Sequence, residues 1–210
     1  TNSSLMDREK VIHELLAADL VSLKVDAVNE ETWRKVNRPL KELSLEKIQN
    51  GMLEFSQNFK GRLITETMLI RNINDNREEY QAIASFISKL KPDVAYIAVP
   101  TRPPACKWVD KPMEEALHLA YQIFKNDLLQ VEYLNEFEGS NFSFSGNIER
   151  DILDICAVHP MRQDALSELL RNACADWKIV EELITLNKLV EIEYDGARFY
   201  MRKLYEGYKR

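Results

Sequence analysis

The sequence lacks what membrane insertion, secretion and general binding to polyanions require. No apolar run approaches the ~20 residues of a membrane-spanning helix. The opening residues, Thr1-Asn2-Ser3-Ser4, lead into a charged amphipathic stretch and do not resemble a signal peptide. The net charge is −6, which argues against a general nucleic-acid binder. These absences predict a cytoplasmic protein that does not contact a membrane.

Cysteine is also scarce. The three cysteines, Cys106, Cys156 and Cys174, match no spacing of zinc or iron–sulfur ligands. Their odd number suits a reducing compartment better than a disulfide framework. The sequence therefore predicts no metal site and no bound cofactor in this chain.

What the sequence does contain, over its first two thirds, is an alternation of strand and helix patterns. Period-two patterns predict strands over 19–26, 62–70 and 93–99. Apolar stripes predict helices over 44–58, 78–90 and 111–128, and Ser44 is a suitable N-cap for the first of them. Strands and helices that alternate at this spacing predict parallel strands with right-handed crossovers.

The polar residues of these strands indicate which kind of parallel sheet they form. Strands covered on both faces are almost continuously apolar. Here one face carries polar side chains, namely Ser22, Lys24, Asp26, Tyr96 and either Thr65 or Glu66. Such a face is typical of a sheet curved around a polar lumen. Because only about three βα units are visible and a closed barrel needs more, the sequence predicts an α/β fold with a partial βα barrel.

The last third of the chain has a different pattern. Small polar residues over 139–146 predict a linker between a barrel domain, 1–138, and a second domain, 147–210. The second domain shows three helical patterns and then two alternating segments around Asp195-Gly196, which is a strong hairpin signal. This order predicts a winged helix.

The charges of this second domain argue against DNA as its ligand. Residues 146–210 contain ten Lys and Arg against twelve Asp and Glu, and the third helical pattern includes Asp176, Glu181 and Glu182. A helix that enters a DNA groove faces phosphates, which these carboxylates would repel. DNA binding is therefore not expected, and contact with a protein or another domain is.

Several short motifs resemble one known family. They are Ser22-Leu-Lys-Val-Asp26, Asn37-Arg38-Pro39, Thr65-Glu66-Thr67-Met68-Leu69 and Ala98-Val-Pro-Thr-Arg-Pro-Pro104, together with Thr1-Asn2-Ser3-Ser4 as the turn after a third barrel strand. Over about residues 1–130 the chain resembles the radical S-adenosylmethionine (radical SAM) Fe–S oxidoreductases related to the tRNA wyosine-synthesis enzymes.

This resemblance implies a 4Fe–4S cluster and S-adenosylmethionine in the full-length family, acting on tRNA or a small molecule. The family binds its cluster through a Cys-x3-Cys-x2-Cys loop and the methionine amine through a Gly-Gly-Glu segment, and this sequence has neither. Without three thiolates there is no cluster. We therefore expect the C-terminal portion of such an enzyme, with no catalytic residues of its own and inactive alone.

The resemblance also implies cofactor-binding residues. It places Ser22, Lys24 and Asp26 on the fourth barrel strand facing the lumen, where the family binds the cofactor's ribose and carboxylate, or the substrate. A lumen lysine donates to carboxylates, and an aspartate accepts from hydroxyls. On the next strand, Glu66 and Met68 are expected to face inward. The alternative is a Lys24–Asp26 pair that only fills a polar lumen.

The loops after the strands supply candidates for binding a substrate or an anion. Asn72 and Asn74 follow one strand, and Thr101 and Arg102 follow the next, at the rim where barrel sites are built. Prolines around Arg102 would present it rigidly to an anion such as a phosphate, and Arg38 has the same interpretation. The alternatives are turn formation for the asparagines and solvated connectors for the arginines.

Two other functions compete with this one. A non-catalytic binding or regulatory module would use the winged helix for a protein interaction. An aldolase-like barrel would use Lys24 as a Schiff-base nucleophile, but the neighbouring strands offer no base suited to activate it. In either case the open edges of a partial barrel invite pairing. We therefore expect a homodimer, or packing against the protein's own N-terminal half-barrel.

Overall fold

The structure of the chain is a computed structural model that describes residues 1–134, 144–158 and 160–203. Contacts divide the chain into two compact units. Unit 1 comprises Thr1–Pro100 and Cys106–Asn135, and unit 2 comprises Thr101–Ala105 and Glu136–Arg210. The predicted linker lies mostly outside the described residues, so the predicted domain limits stay a prediction.

Unit 1 is built on a four-stranded parallel sheet. Its strands lie side by side in chain order: β1 (Leu20–Lys24), β2 (Arg62–Met68), β3 (Val94–Ala98) and β4 (Val131–Leu134). Its helices are α1 (Glu9–Leu15), α2 (Glu30–Asn37), α3 (Leu45–Asn58), α4 (Arg77–Leu90) and α5 (Glu114–Asp127). The predicted partial barrel is confirmed, with a fourth strand after the third βα unit.

Alternation along the strands puts one face of this sheet into the core. Leu23 of β1 and Thr65 of β2 are fully buried, while the residues between the buried positions are partly exposed. The buried face belongs to one apolar cluster with the helices, in which Phe55 of α3 and Ile83 of α4 have no exposed surface. The opposite face carries the polar residues of the strands together with apolar ones such as Ile64 and Val94.

Capping residues set the ends of the helices. Ser44 accepts a hydrogen bond from the Lys47 N–H at 3.4 Å, so its predicted capping role is confirmed. Arg38 ends α2 and Lys91 ends α4, both in the left-handed conformation, with φ of 47° and 53°. Glycine is the residue usually found at such positions.

The backbone of Thr1 pairs with the outer edge of β1. The Thr1 nitrogen donates to the Ser22 carbonyl at 2.8 Å, and the Thr1 carbonyl accepts from the Lys24 N–H at 3.2 Å. Two bonds that flank Leu23 in this way have the pattern of a parallel bridge. The edge of β1 therefore accepts a parallel backbone segment.

Unit 2 has the predicted order of helices and hairpin. It contains α6 (Ile148–Val158), β5 (Met161–Arg162), α7 (Gln163–Asn172), α8 (Lys178–Thr185), β6 (Leu189–Tyr194) and β7 (Ala197–Arg202). Asp195 and Gly196 join β6 to β7 with positive φ angles, as the hairpin signal requires. The strands form an antiparallel sheet in the order β5-β7-β6.

Unit 2 also has a core of its own, in which Ile152, Leu166 and Val180 are fully buried. No helix within the described part of either unit is long and apolar enough to span a membrane.

Candidate functional site

A row of ionisable side chains crosses the polar face of the parallel sheet. The strand register pairs Lys24 with Glu66, Glu66 with Tyr96, and Tyr96 with Glu132. Residues paired in this way point to the same face, and here that face is opposite the helices. Glu132 is exposed, and the other three are partly buried. We call these four residues the polar row.

A short hydrogen bond holds Glu66 in this row. The Ser22 hydroxyl donates to Glu66 Oε1 at 2.5 Å, which fixes the direction of the carboxylate. Met68 shares the face with Glu66, while Thr65 and Thr67 face the helices and have no exposed surface. Of the two candidates that the sequence left open, the structure thus places Glu66 on the polar face.

Asp26 is not part of the polar row. It lies just after the end of β1, and its side chain is only 1% exposed. Its Oδ2 accepts from Asn37 Nδ2 at 2.7 Å, and its Oδ1 accepts from the Met68 N–H at 2.8 Å. Lys24 Nζ lies 3.4 Å from the same Oδ1. Both carboxylate oxygens are therefore used inside the protein, and the 29% exposed Lys24 is the member of the pair that can reach a ligand.

Asn74 is fully buried and ties the ends of two strands together. Its Oδ1 accepts from the Ile70 N–H at 2.7 Å, and its Nδ2 donates to the carbonyls of Asp26 and Met68, each at 2.8 Å. A ligand could contact this side chain only if those bonds broke. In this structure Asn74 holds the segments that follow β1 and β2 in place.

The remaining rim candidates have other surroundings. Asn72 is exposed in the left-handed conformation, φ 59°, and its N–H donates to Asp75 Oδ1 at 2.5 Å, which is the geometry of a turn. Thr101 and Arg102 are partly buried and belong to unit 2. Their predicted role in binding an anion stays a prediction.

A cavity of about 380 Å³ opens at the carboxyl end of β1. It is lined by the N-terminal segment, the loop after β1, the end of α2 and residues of α3. Arg8, Lys24 and Arg38 are its cationic lining residues, and Arg38 Nη1 also donates to Cys106 Sγ at 3.0 Å. We call it the β1 cavity. Sequence reasoning missed Arg8, because nothing in the pattern around it indicates a cavity.

The cysteines do not fit an iron–sulfur cluster. Cys156 is 3% exposed in the apolar core of unit 2, and burial raises the pKa of its thiol to about 12, so it offers no thiolate at neutral pH. Cys106 is partly buried and Cys174 is exposed. In the part of the chain that the structure describes, no three His, Cys, Asp or Glu side chains converge to hold a metal ion.

Comparison with known sequences finds relatives but no matching family model. A UPF0026 protein of Methanocaldococcus jannaschii is 42% identical over 207 residues, which are 97% of this chain and 64% of that protein. The GTPase Obg of Brachyspira hyodysenteriae is 28% identical over 88% of this chain and 29% of its own length. A UPF0026 protein of Synechocystis is 32% identical over 49% of this chain and 38% of its own length. The chain thus spans less than two thirds of each of these relatives.

Comparison with solved structures finds proteins with a similar fold. A domain of pyruvate-formate lyase-activating enzyme from Bacteroides vulgatus matches with a TM-score of 0.51 and 16% identity, over 62% of this chain and 77% of that domain. The four-stranded parallel sheet with its helices thus resembles a partial radical SAM barrel. A radical SAM methyltransferase from Sphaerobacter thermophilus matches with a TM-score of 0.49 and 17% identity, over 64% of this chain and 39% of its own. At such identities the likeness concerns the fold alone.

Proposed function

We propose that this chain supplies the cofactor-facing wall of a radical SAM enzyme and that the cluster ligands come from protein outside these 210 residues. The observation that carries the proposal is the polar row, which lies on the face of the parallel sheet opposite the helices, the face that would line the lumen of a radical SAM barrel. The cysteines support the second half of the proposal, because those of the described residues do not converge on a metal site.

The side chains of the polar row suit the polar groups of S-adenosylmethionine. The Lys24 ammonium can donate to the methionine carboxylate. Glu66 accepts one bond from Ser22 through Oε1 and has further acceptor capacity for the ribose hydroxyls. In the family the bound cofactor supplies a radical that abstracts hydrogen from the substrate, and the residues of this chain would bind and orient it.

Two residues outside the polar row, Asp26 and Asn74, would hold Lys24 and Glu66 in these positions. Asp26 holds Lys24 by an ion pair and fixes β2 through the Met68 N–H. Asn74 ties the loop after β2 to the ends of both strands. They act as positioning residues for Lys24 and Glu66.

The edge of β1 is where the rest of the barrel would join. Thr1 already forms a parallel bridge there, so further parallel strands added at this edge would curve around the polar row. A protein that combines these strands with this chain would act on tRNA or a small molecule, as does the radical SAM family that the sequence resembles.

Exchanging the matched region of the Methanocaldococcus jannaschii relative for this chain tests the proposal. At 42% identity over 207 residues, we expect the chimera to fold, to hold about four irons per chain after reconstitution, and to release 5′-deoxyadenosine from S-adenosylmethionine under reducing conditions. The 210-residue chain alone should do neither. A folded chimera without iron would contradict the proposal, as would stoichiometric iron in the chain alone.

For unit 2 we propose a protein-binding role instead of DNA binding. The third helix, α8, begins with Lys178 and carries Glu181 and Glu182. These carboxylates would meet phosphates if α8 entered a groove. If the chimera held no cluster, the function left for this chain would be that of a regulatory or interaction module.

A further inference from the structure

The β1 cavity is a positively charged site in a negatively charged protein. Three cations line it, Arg8, Lys24 and Arg38, against a single carboxylate, Asp26, while the whole chain has a net charge of −6. Lys24 is paired with Asp26. The two arginines form no ion pair with any residue that the structure describes. Two guanidinium groups are therefore available to an anion.

The wall of the cavity also holds an acceptor without a donor. Asn37 Nδ2 donates to Asp26 Oδ2 at 2.7 Å, which fixes the orientation of the amide because the reverse would place two acceptors together. Asn37 Oδ1 is then buried with no hydrogen-bond partner among the residues that the structure describes. Buried polar atoms are rarely left in this state, and a small shift of the Asn37 side chain would bring this oxygen to a ligand hydroxyl or N–H in the cavity.

The rest of the lining is mostly apolar. Trp33, Met52 and Phe86 are buried side chains of the wall, and Leu43 is partly buried. A volume of about 380 Å³ is near the lower end of pockets that hold small organic molecules, roughly 300–1,000 Å³. The cavity therefore suits a compact ligand with an apolar body.

We propose that the β1 cavity binds a small organic anion. Its carboxylate or phosphate would be held by Arg8 and Arg38, a hydroxyl or amine would donate to Asn37 Oδ1, and its apolar body would lie against Trp33. This site goes beyond the proposed cofactor wall, since neither arginine nor Asn37 belongs to the polar row. Lys24 lines both, so the bound anion would lie beside the row.

The test uses the intact chain without iron or S-adenosylmethionine, so that its outcome is independent of the proposed enzyme function. The probes are 4-hydroxybenzoate and 4-hydroxyphenyl phosphate, which share the hydroxyl and the ring and distinguish a carboxylate from a phosphate as the bound group. We expect saturable binding of at least one probe in NMR titrations, with shifts of the Trp33 indole and the Asn37 side-chain amide. No saturable binding of either probe up to about 10 mM would overturn the proposal.

Two glycine variants provide the decisive comparison. Arg38→Gly removes a guanidinium from the cavity, and Lys91→Gly removes a cation from the corresponding end of α4. Both residues are left-handed helix ends, where glycine introduces no strain. Arg38→Gly should weaken binding of the probe about tenfold or more, as expected when a charged hydrogen-bond donor is lost, and Lys91→Gly should leave it unchanged. Equal effects, or no effect of Arg38→Gly, would contradict the proposal.

Discussion

Gly51→Ala should destabilise unit 1 by about 3 kcal/mol, although alanine is the better helix former. Gly51 lies within α3, and a Cβ atom added there would lie 1.6 Å from the Met6 carbonyl oxygen and 2.6 Å from its carbon. Met6 is 1% exposed, and its N–H donates a hydrogen bond to the Ser3 carbonyl oxygen. The N-terminal segment would therefore have to leave α3 and expose the Met6 side chain.

The sign of this effect separates the close contact from helix propensity. If nothing approached Gly51, alanine would stabilise the helix by about 1 kcal/mol. Hydrogen exchange of the β2 amides would report the stability of unit 1. Gln57→Ala is the control, because Gln57 is an exposed residue of the same helix and its loss should change stability by less than about 0.5 kcal/mol. A more stable Gly51→Ala protein would show that the segment does not pack there.

Asp26→Ala should also cost about 3 kcal/mol of unfolding free energy. The substitution leaves the Met68 N–H and the Asn37 amide without their acceptor, and it leaves the partly buried Lys24 without its partner. Removing one member of such a set costs more than the set contributes, since the others stay buried and unpaired.

Asp26→Asn should have an intermediate effect. It keeps an oxygen for the Met68 N–H, but it removes the charge opposite Lys24 and turns an NH₂ group toward the Asn37 amide. Urea unfolding followed by circular dichroism measures both variants. Asp127→Ala, at the exposed end of α5, is the control and should behave as the wild type. An Asp26→Ala protein as stable as this control would refute the anchoring role of Asp26.

The polar face of the sheet could be predicted from the sequence because alternation records which side of a strand is buried. Leu23 and Ser22 show this directly. The choice between Thr65 and Glu66 could not be made in this way, since both are polar, and it is the packing against the helices that buries Thr65. The strand β4 escaped prediction because Val131 is its only buried residue.

The supporting parts of the site depend on contacts between distant segments. Asn74 has the sequence signature of a turn former, yet its three hydrogen bonds make it a buried link between two strands. The β1 cavity brings together Arg8, Asn37 and Phe86, which no local pattern connects. The need for glycine at position 51 could not be predicted either, because only the fold shows that the Met6 backbone lies against it.

The most direct test of the cofactor-facing wall is S-adenosylmethionine binding by the reconstituted chimera with substitutions at two adjacent residues. Glu66→Gln keeps the size of a side chain on the polar face but removes its charge. Thr65→Val changes a residue that faces the helices and has no exposed surface, and whose hydroxyl has no hydrogen-bond partner in the described part of the chain.

Equilibrium dialysis with labelled S-adenosylmethionine should show a Kd raised about tenfold by Glu66→Gln, because a charged acceptor of the ribose hydroxyls is lost. Thr65→Val should bind as the parent chimera does. An unchanged Kd for Glu66→Gln, or an equal loss in both variants, would contradict the claim that the polar row faces the cofactor.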